Sequence, residues 1–161
     1  MIIVLMGVAG SGKTTVGRQL ADTLGWPFHE GDTYHAAASV ARMRRGAPLT
    51  EDDRRPWLAS LHAVMQHHAD RRESAVLACS ALTADARTLL RGELRGVRVV
   101  YLKGSRDRLA PRLAARPGHF FPPVLLDSQL ATLEEPDDAL TLDIGEPVDA
   151  MVAAIRREFG V

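Results

Sequence analysis

Six apolar residues, Met1-Ile2-Ile3-Val4-Leu5-Met6, run straight into Gly7-Val8-Ala9-Gly10-Ser11-Gly12-Lys13-Thr14-Thr15. This junction constrains the chain more than any other stretch. A short β-branched run closed by glycine fits a strand buried on both faces. The segment after it reads G-x-x-x-x-G-K-[ST] in full, a loop whose glycines let backbone amides approach phosphate oxygens. Lys13 supplies a mobile positive charge for the β- and γ-phosphates, and Thr14 supplies a hydroxyl for Mg²⁺. A helix opening at Lys13 would aim the positive end of its dipole at the same anion. The bland reading, a glycine-rich turn between strand and helix, needs none of these coincidences.

The rest of the chain alternates in the same sense. Val16, Leu20 and Leu24 fall four apart and predict a helix ended by Gly25, with Gly17 admitting close packing against the sheet. Trp26 to His29 predicts a second strand, Ala36 to Arg45 a helix, and Thr50 caps a further helix carrying Leu58, Leu61, Met65 and His68. Ala75 to Ala78, Val97 to Leu102 and Leu140 to Ile144 predict three more strands. Helices are expected at Asp85 to Arg91, at Leu125 to Leu133 and along Val148, Val152, Ile155 and Phe159. No repeat, linker or low-complexity tract interrupts the 161 residues. The expected fold is α/β: a five-stranded parallel sheet with helices on both faces, in one domain spanning 1–161.

Global properties narrow the function by what they fail to support. The formal net charge is zero and aromatics make up 5% of residues, a poor match to nucleic-acid binding. Cys79 is the only cysteine, so no intrachain disulfide can form, which fits a reducing cytosol. No signal-like segment and no apolar run of membrane-spanning length is evident, and the expected location is cytoplasmic, without a membrane partner.

In a parallel sheet the loops after the strands share one crevice. That rule gathers the Gly7 loop, Asp32, Ser80 and the stretch after Leu102 around one site. Asp32 is placed to orient or deprotonate an acceptor hydroxyl, although an Asx turn or helix cap would read the same. His35, three residues on, can bond a substrate hydroxyl or be a lone exposed imidazole. Arg106, Arg108, Arg112 and Arg116 precede Pro117-Gly118, and this arrangement predicts a lid over roughly 105–123. Pro111 is expected to shorten or bend the lid helix. His62, His67 and His68 lack metal-ligand spacing and read as surface residues, Trp57 reads as core, and Cys79 as a small buried apolar residue.

Taken in order, these segments resemble the gluconate kinases, small P-loop kinases related to shikimate kinase. The resemblance covers nearly the whole chain. It is carried by Gly7 to Thr15; Glu30-Gly31-Asp32 with His35; Met43 to Leu49; Asp53-Arg54-x-Pro56-Trp57-Leu58; and Cys79-Ser80-Ala81-Leu82. Arg87 with Leu90-Arg91, Tyr101 to Gly104, Arg112 and Arg116 with Gly118-His119-Phe120, and Ser128-Gln129 leading to Leu133-Glu134-Glu135-Pro136 complete it. The loop alone is family-neutral, whereas the order of all the parts is specific.

The resemblance implies a nucleoside-monophosphate-kinase type of P-loop fold with a mobile lid, a homodimer, and Mg²⁺- and ATP-dependent phosphorylation of the 6-hydroxyl of D-gluconate. It implies that Lys13 and the amides of Gly7, Val8, Ala9, Gly10, Ser11, Gly12, Thr14 and Thr15 hold the phosphates. Thr14 would bind Mg²⁺, with Asp32 or Ser80 acting through water. Lys13, Asp32 and Arg116 would carry the chemistry, Asp32 at the acceptor hydroxyl and Arg116 at the phosphates. His35, Arg54, Arg87 and Gln129 would meet the sugar acid, with Arg54 or Arg87 as the carboxylate clamp. By the likeness to shikimate kinase, Arg112 and the loop at Pro147 would sandwich adenine.

The chain departs from the family pattern at Ala36, Ser39 and Arg42, where proline, asparagine and lysine are usual, and at Thr83, Ala86 and Thr88, where lysine, tyrosine and aspartate are common. These departures are expected to thin out polar groups at the sugar pocket, which leaves open a kinase for another small hydroxy or sugar acid. A reading from another class is a non-catalytic regulator that closes on ATP. Against it stand Asp32 and Arg116, which a pure binder does not need.

Overall fold

A computed structural model of the chain describes residues 1–115 and 124–161. Five strands, β1 (Ile2–Met6), β2 (Phe28–Glu30), β3 (Ala75–Ala78), β4 (Val97–Lys103) and β5 (Leu140–Asp143), form one parallel sheet in the order β2-β3-β1-β4-β5. The central strand β1 is buried along its whole length. Its side chains alternate between two cores. Ile3 and Leu5 pack with Val16 and Leu20 of helix α1 (Lys13–Leu24) and with Val152 and Ile155 of the last helix, α7 (Val148–Phe159). Ile2, Val4 and Met6 pack on the other face with Leu58, Leu61 and Met65 of α3 (Glu51–Asp70) and Leu90 of α4 (Ala84–Arg91). A strand apolar at every position is thus explained by burial on both sides.

The remaining helices are α2 (Ala37–Arg44), α5 (Arg106–Ala114) and α6 (Leu125–Thr132), and a short 3-10 helix spans Gly31–Tyr34. The start of α3 is fixed by a capping box: the Thr50 side chain accepts from the Asp53 amide while the Asp53 carboxylate accepts from the Thr50 amide. Phe28 fills the space that Gly17 leaves open, the close approach expected there.

Two expectations, the start of the second strand and the placement of His68, are corrected. The second strand begins at Phe28 rather than Trp26, because Pro27 has no N–H to give a ladder and offers only its carbonyl, which accepts from the Val76 amide at 3.0 Å. Pro111 lies inside α5, which runs on to Ala114, and the bond it cannot make is to the carbonyl of Asp107 in the exposed first turn. His68 is not on the surface, being 8% exposed on the same helical stripe as Leu61 and Met65. It meets His29 of β2 at 2.9 Å between Nε2 atoms, and Glu73 Oε2 at 3.2 Å through Nδ1. The other ring nitrogen of His29 lies 3.1 Å from the Tyr34 hydroxyl. Cys79 and Trp57 are buried as expected, and burial pushes the Cys79 thiol up to about 12, so it stays protonated.

Candidate active site

The carboxyl ends of β1, β2 and β3 open into one cleft. Its wall includes Ala9, Gly10, Gly12, Lys13, Thr14 and Thr15 from the loop after β1; Glu30, Asp32 and His35 from the segment ending β2; Arg54 and Trp57 from α3; and Ser80 after β3. Arg112 of α5 and Ser128 and Gln129 of α6 close the far side. Strand order gathers the loops after β1, β2 and β3, as the crevice rule for parallel sheets requires, and helices α3, α5 and α6 bring Arg54, Arg112 and Gln129 to them.

Within the loop, Gly7, Val8 and Ser11 form the buried back and the other residues face the cleft. Gly7 has a positive φ of 146°, and a Cβ there would lie 2.8 Å from the Leu102 carbonyl oxygen, so only glycine permits this bend beside β4. Lys13 Nζ donates to the carbonyls of Gly7 at 2.9 Å and Val8 at 3.1 Å, which places its charge over the loop. The loop runs into the N-terminus of α1, where the first amides lack carbonyl partners four residues back. This is an anion-binding geometry.

The Thr14 hydroxyl donates to Glu30 Oε2 at 2.6 Å. With its proton committed to a carboxylate, its lone pairs remain for a cation. Glu30, Asp32, Thr14 and Ser80 together give the hard oxygen donors that Mg²⁺ prefers. Among the described residues no group of three or more His, Cys, Asp or Glu side chains forms a metal cage. The donor set therefore fits an ion that takes part of its shell from phosphate and water.

On the acceptor side, Asp32 sits in the 3-10 helix, held against β3 by Gly31, where any Cβ would collide with the Ala78 carbonyl. The Trp57 indole locks the same segment by donating to the Gly31 carbonyl at 2.8 Å. The His35 ring stacks on Trp57 with centroids 4.2 Å apart and planes 16° off parallel. Burial pushes the pKa of His35 down, aided by the nearby Arg54 charge and opposed by Asp32, so the ring is neutral at pH 7. Its Nδ1 is buried without a hydrogen-bond partner. Arg54 reaches the cleft from the first turns of α3 while pairing with Glu51 at 2.7 Å.

The shikimate kinase family model matches residues 9–138 of this chain. A gluconokinase from Gluconobacter oxydans is 49% identical over 136 residues, covering 84% of this chain and 76% of the relative. The chain belongs to the gluconokinase family. Two solved structures agree: a gluconokinase from Sinorhizobium meliloti (40% identity, TM-score 0.86, 98% of this chain and 90% of that one) and a sugar kinase from a Janibacter species (42%, 0.90, 97% and 92%). Members of this family are ATP-dependent small-molecule kinases, and this chain is one of them.

Seen as a gluconokinase-family site, the cleft holds most of the residues singled out in the sequence, but not all. Arg87 lies outside it, in a separate groove with Leu90, Val97 and Glu134, and its guanidinium donates to the carbonyls of Ala81, Leu82 and Glu134. Gln129 lines the cleft, yet its carbonyl oxygen accepts from the Ala9 amide at 2.6 Å, so what it can offer a ligand is N–H donors. Pro147 caps α7 rather than lining the cleft; Arg112 approaches that loop by donating to the Ile144 carbonyl at 2.8 Å. Arg116 and the 116–123 part of the expected lid lie outside the described residues.

The departures from the family pattern are also displaced from the cleft. Thr83 caps α4, Ala86 is buried within its first turn, Thr88 faces the second groove, and Ala36, Ser39 and Arg42 are absent from the cleft wall. These positions add no polar group to the wall of this pocket. Glu30 is the residue that sequence reasoning left unassigned, although it stands in the quoted Glu30-Gly31-Asp32 run. Its signal was position at a strand end beside the loop, the criterion already applied to Asp32 and Ser80.

Proposed function

We propose that the protein transfers the γ-phosphoryl group of ATP to the 6-hydroxyl of D-gluconate. The observation that carries this reading is the convergence of the nucleotide loop with Asp32, His35 and Arg54 in one cleft of a chain whose family is gluconokinase. Lys13 and the loop amides hold the phosphates, and the α1 dipole adds to their field. Thr14, oriented by Glu30, would hold Mg²⁺, with Asp32 and Ser80 within reach through water. The ion, when bound, neutralises charge on the transferring group.

Asp32 orients the acceptor hydroxyl and takes its proton as the new O–P bond forms. Neutral His35 bonds a neighbouring hydroxyl. Arg54 is the cation positioned to pair with the sugar-acid carboxylate, since its planar fork matches two oxygens. Gln129 presents donors to the acceptor from the opposite wall. The family resemblance supports Arg112 and the Pro147 loop as the adenine partners and Arg116 as a phosphate partner.

We further read the enzyme as one kinase unit over 1–161, a homodimer and cytoplasmic; the family resemblance supports this, and no described helix is long and apolar enough to cross a membrane. The deciding experiment is ADP release in the presence of D-gluconate, other aldonic acids and shikimate. Saturable Mg²⁺-dependent turnover is expected with D-gluconate first. Preference for shikimate or another acid would replace the acceptor, and saturable ATP binding without acceptor-dependent ADP release would replace the enzyme with a regulator.

A further inference from the structure

Ala81 has a φ of +40°, one of two non-glycine residues with positive φ among the described residues. The left-handed region is costly for alanine, whose Cβ crowds the backbone, so a buried alanine held there implies a compensating restraint. Its neighbour on one side is Ser80, which lines the cleft and whose carbonyl accepts from the Gly7 amide at 3.4 Å. The bend at Ala81 therefore sets how the end of β3 meets the first residue of the nucleotide loop.

The restraint is visible. One Arg87 nitrogen, Nη1, donates to the carbonyls of Ala81 at 3.3 Å, Leu82 at 3.2 Å and Glu134 at 2.9 Å. Glu134 closes the other side: its amide donates to the Leu82 carbonyl at 2.9 Å, and its carboxylate accepts from the Ala84 amide at 2.7 Å. These contacts cross-link the bend, the start of α4 and the segment just after α6. The α6 helix in turn carries Gln129, which holds the Ala9 amide. Arg87 thus reaches the nucleotide loop from two directions without touching the cleft.

We propose that Arg87 is a positioning residue: its guanidinium holds Ala81 in the left-handed bend, and through Ser80 and α6 it sets the nucleotide loop, rather than binding the acceptor carboxylate. This rests on the kinase reading of the cleft. The three carbonyls converge on a single guanidinium nitrogen, which shares its two N–H groups among them, so a side chain without a donor there would leave the carbonyls of Ala81, Leu82 and Glu134 without this common partner.

The test is a double-mutant cycle on the whole enzyme with Arg87→Met and Ala81→Gly. Glycine takes positive φ without penalty, so it should replace part of what Arg87 does. Arg87→Met is expected to lower kcat/KM for MgATP and for D-gluconate together, by about tenfold to a hundredfold. Ala81→Gly alone should stay within roughly twofold of the parent, and in the Arg87→Met background should restore about fivefold or more. The loss should be the same for gluconate and for its uncharged amide. A rise in KM confined to gluconate, absent for the amide and not rescued by Ala81→Gly, would overturn the proposal and make Arg87 a carboxylate ligand. Thermal melts of each variant separate rescue of activity from rescue of folding. If Arg87→Met does not fold, Arg87→Gln, shorter by two atoms and uncharged, takes its place in the same cycle. Should the parent enzyme turn over no acceptor, the kinase reading fails, and the cycle is read instead in MgATP binding, where rescue by Ala81→Gly still decides the role of Arg87.

Discussion

The Thr14 hydroxyl donates to Glu30 Oε2 at 2.6 Å, joining the first turn of α1 to the end of β2. On the proposed reading, the bond orients a Mg²⁺ ligand by consuming its only proton and ties cation binding to a residue outside the glycine loop. Glu30→Gln can offer its carbonyl or its NH₂, and it loses the charge. The Mg²⁺ concentration for half-maximal rate should rise by about tenfold to a hundredfold, the usual cost of losing a ligand's supporting partner. Titration of the initial rate with Mg²⁺ at fixed ATP checks this, and an unchanged midpoint would remove Glu30 from the cation site.

Asp32 and Lys13 should separate by kinetic signature. Asp32→Asn is expected to lower kcat by about 10²- to 10⁴-fold, the range for a group that handles the acceptor proton. The KM for MgATP should move by roughly twofold or less, because the lost interaction forms only as the hydroxyl attacks. Lys13→Met removes a charge that meets the phosphates themselves, with a loss of about 10²-fold or more in kcat/KM for MgATP. Full turnover by the Asp32→Asn enzyme at neutral pH would end the role assigned to that carboxylate.

Arg54 is the acceptor-side cation that the fold delivers to the cleft. Arg54→Met should raise the KM for D-gluconate by about tenfold to a hundredfold, as expected for a charge-assisted pair, and leave MgATP binding alone. Arg54→Lys should recover little of this, since an ammonium cannot match both carboxylate oxygens. Steady-state kinetics in each substrate separately gives the answer, and a loss confined to MgATP would contradict the assignment.

His35 and His29 give the fold a pH dependence of definite sign. Burial lowers both pKa values, helped by Arg54 beside His35 and by His68 beside His29, so each ring resists protonation in the folded chain. Unfolded, each takes a proton near its ordinary value of 6.5. Between that value and the lower folded pKa the unfolded chain binds more protons, and stability falls as pH is lowered. Their contribution is complete above about pH 7 and shrinks on acidification. Thermal melts from about pH 8 to 5 should show a declining midpoint below about 6.5. His35→Gln should flatten part of that slope and leave the part that His29 supplies.

How much of this was readable beforehand depended on whether the signal was local. Leu58, Leu61 and Met65 announce α3 by spacing, and Thr50 announces its start by cap chemistry, because both act within a turn or two of helix. The cleft was readable through one topological rule, that parallel strands empty their loops on one side. That Arg87 lies outside the cleft was not readable, because its partners are carbonyls up to 47 residues away, and a backbone carbonyl leaves no mark in a sequence. His68 was misplaced for a related reason. Its helical stripe was evident, but that the stripe meets a second imidazole on β2 is a property of packing.

The alternation of β1 between two cores makes the site a matter of parity. Inserting one residue within Ile2–Met6 would move every later side chain of the strand to the opposite face and start the glycine turn on the wrong side of the sheet. Inserting two would keep the faces and only lengthen the strand. The strand thus counts residues for the loop that follows it, and the even or odd answer determines whether Lys13 arrives over phosphate at all.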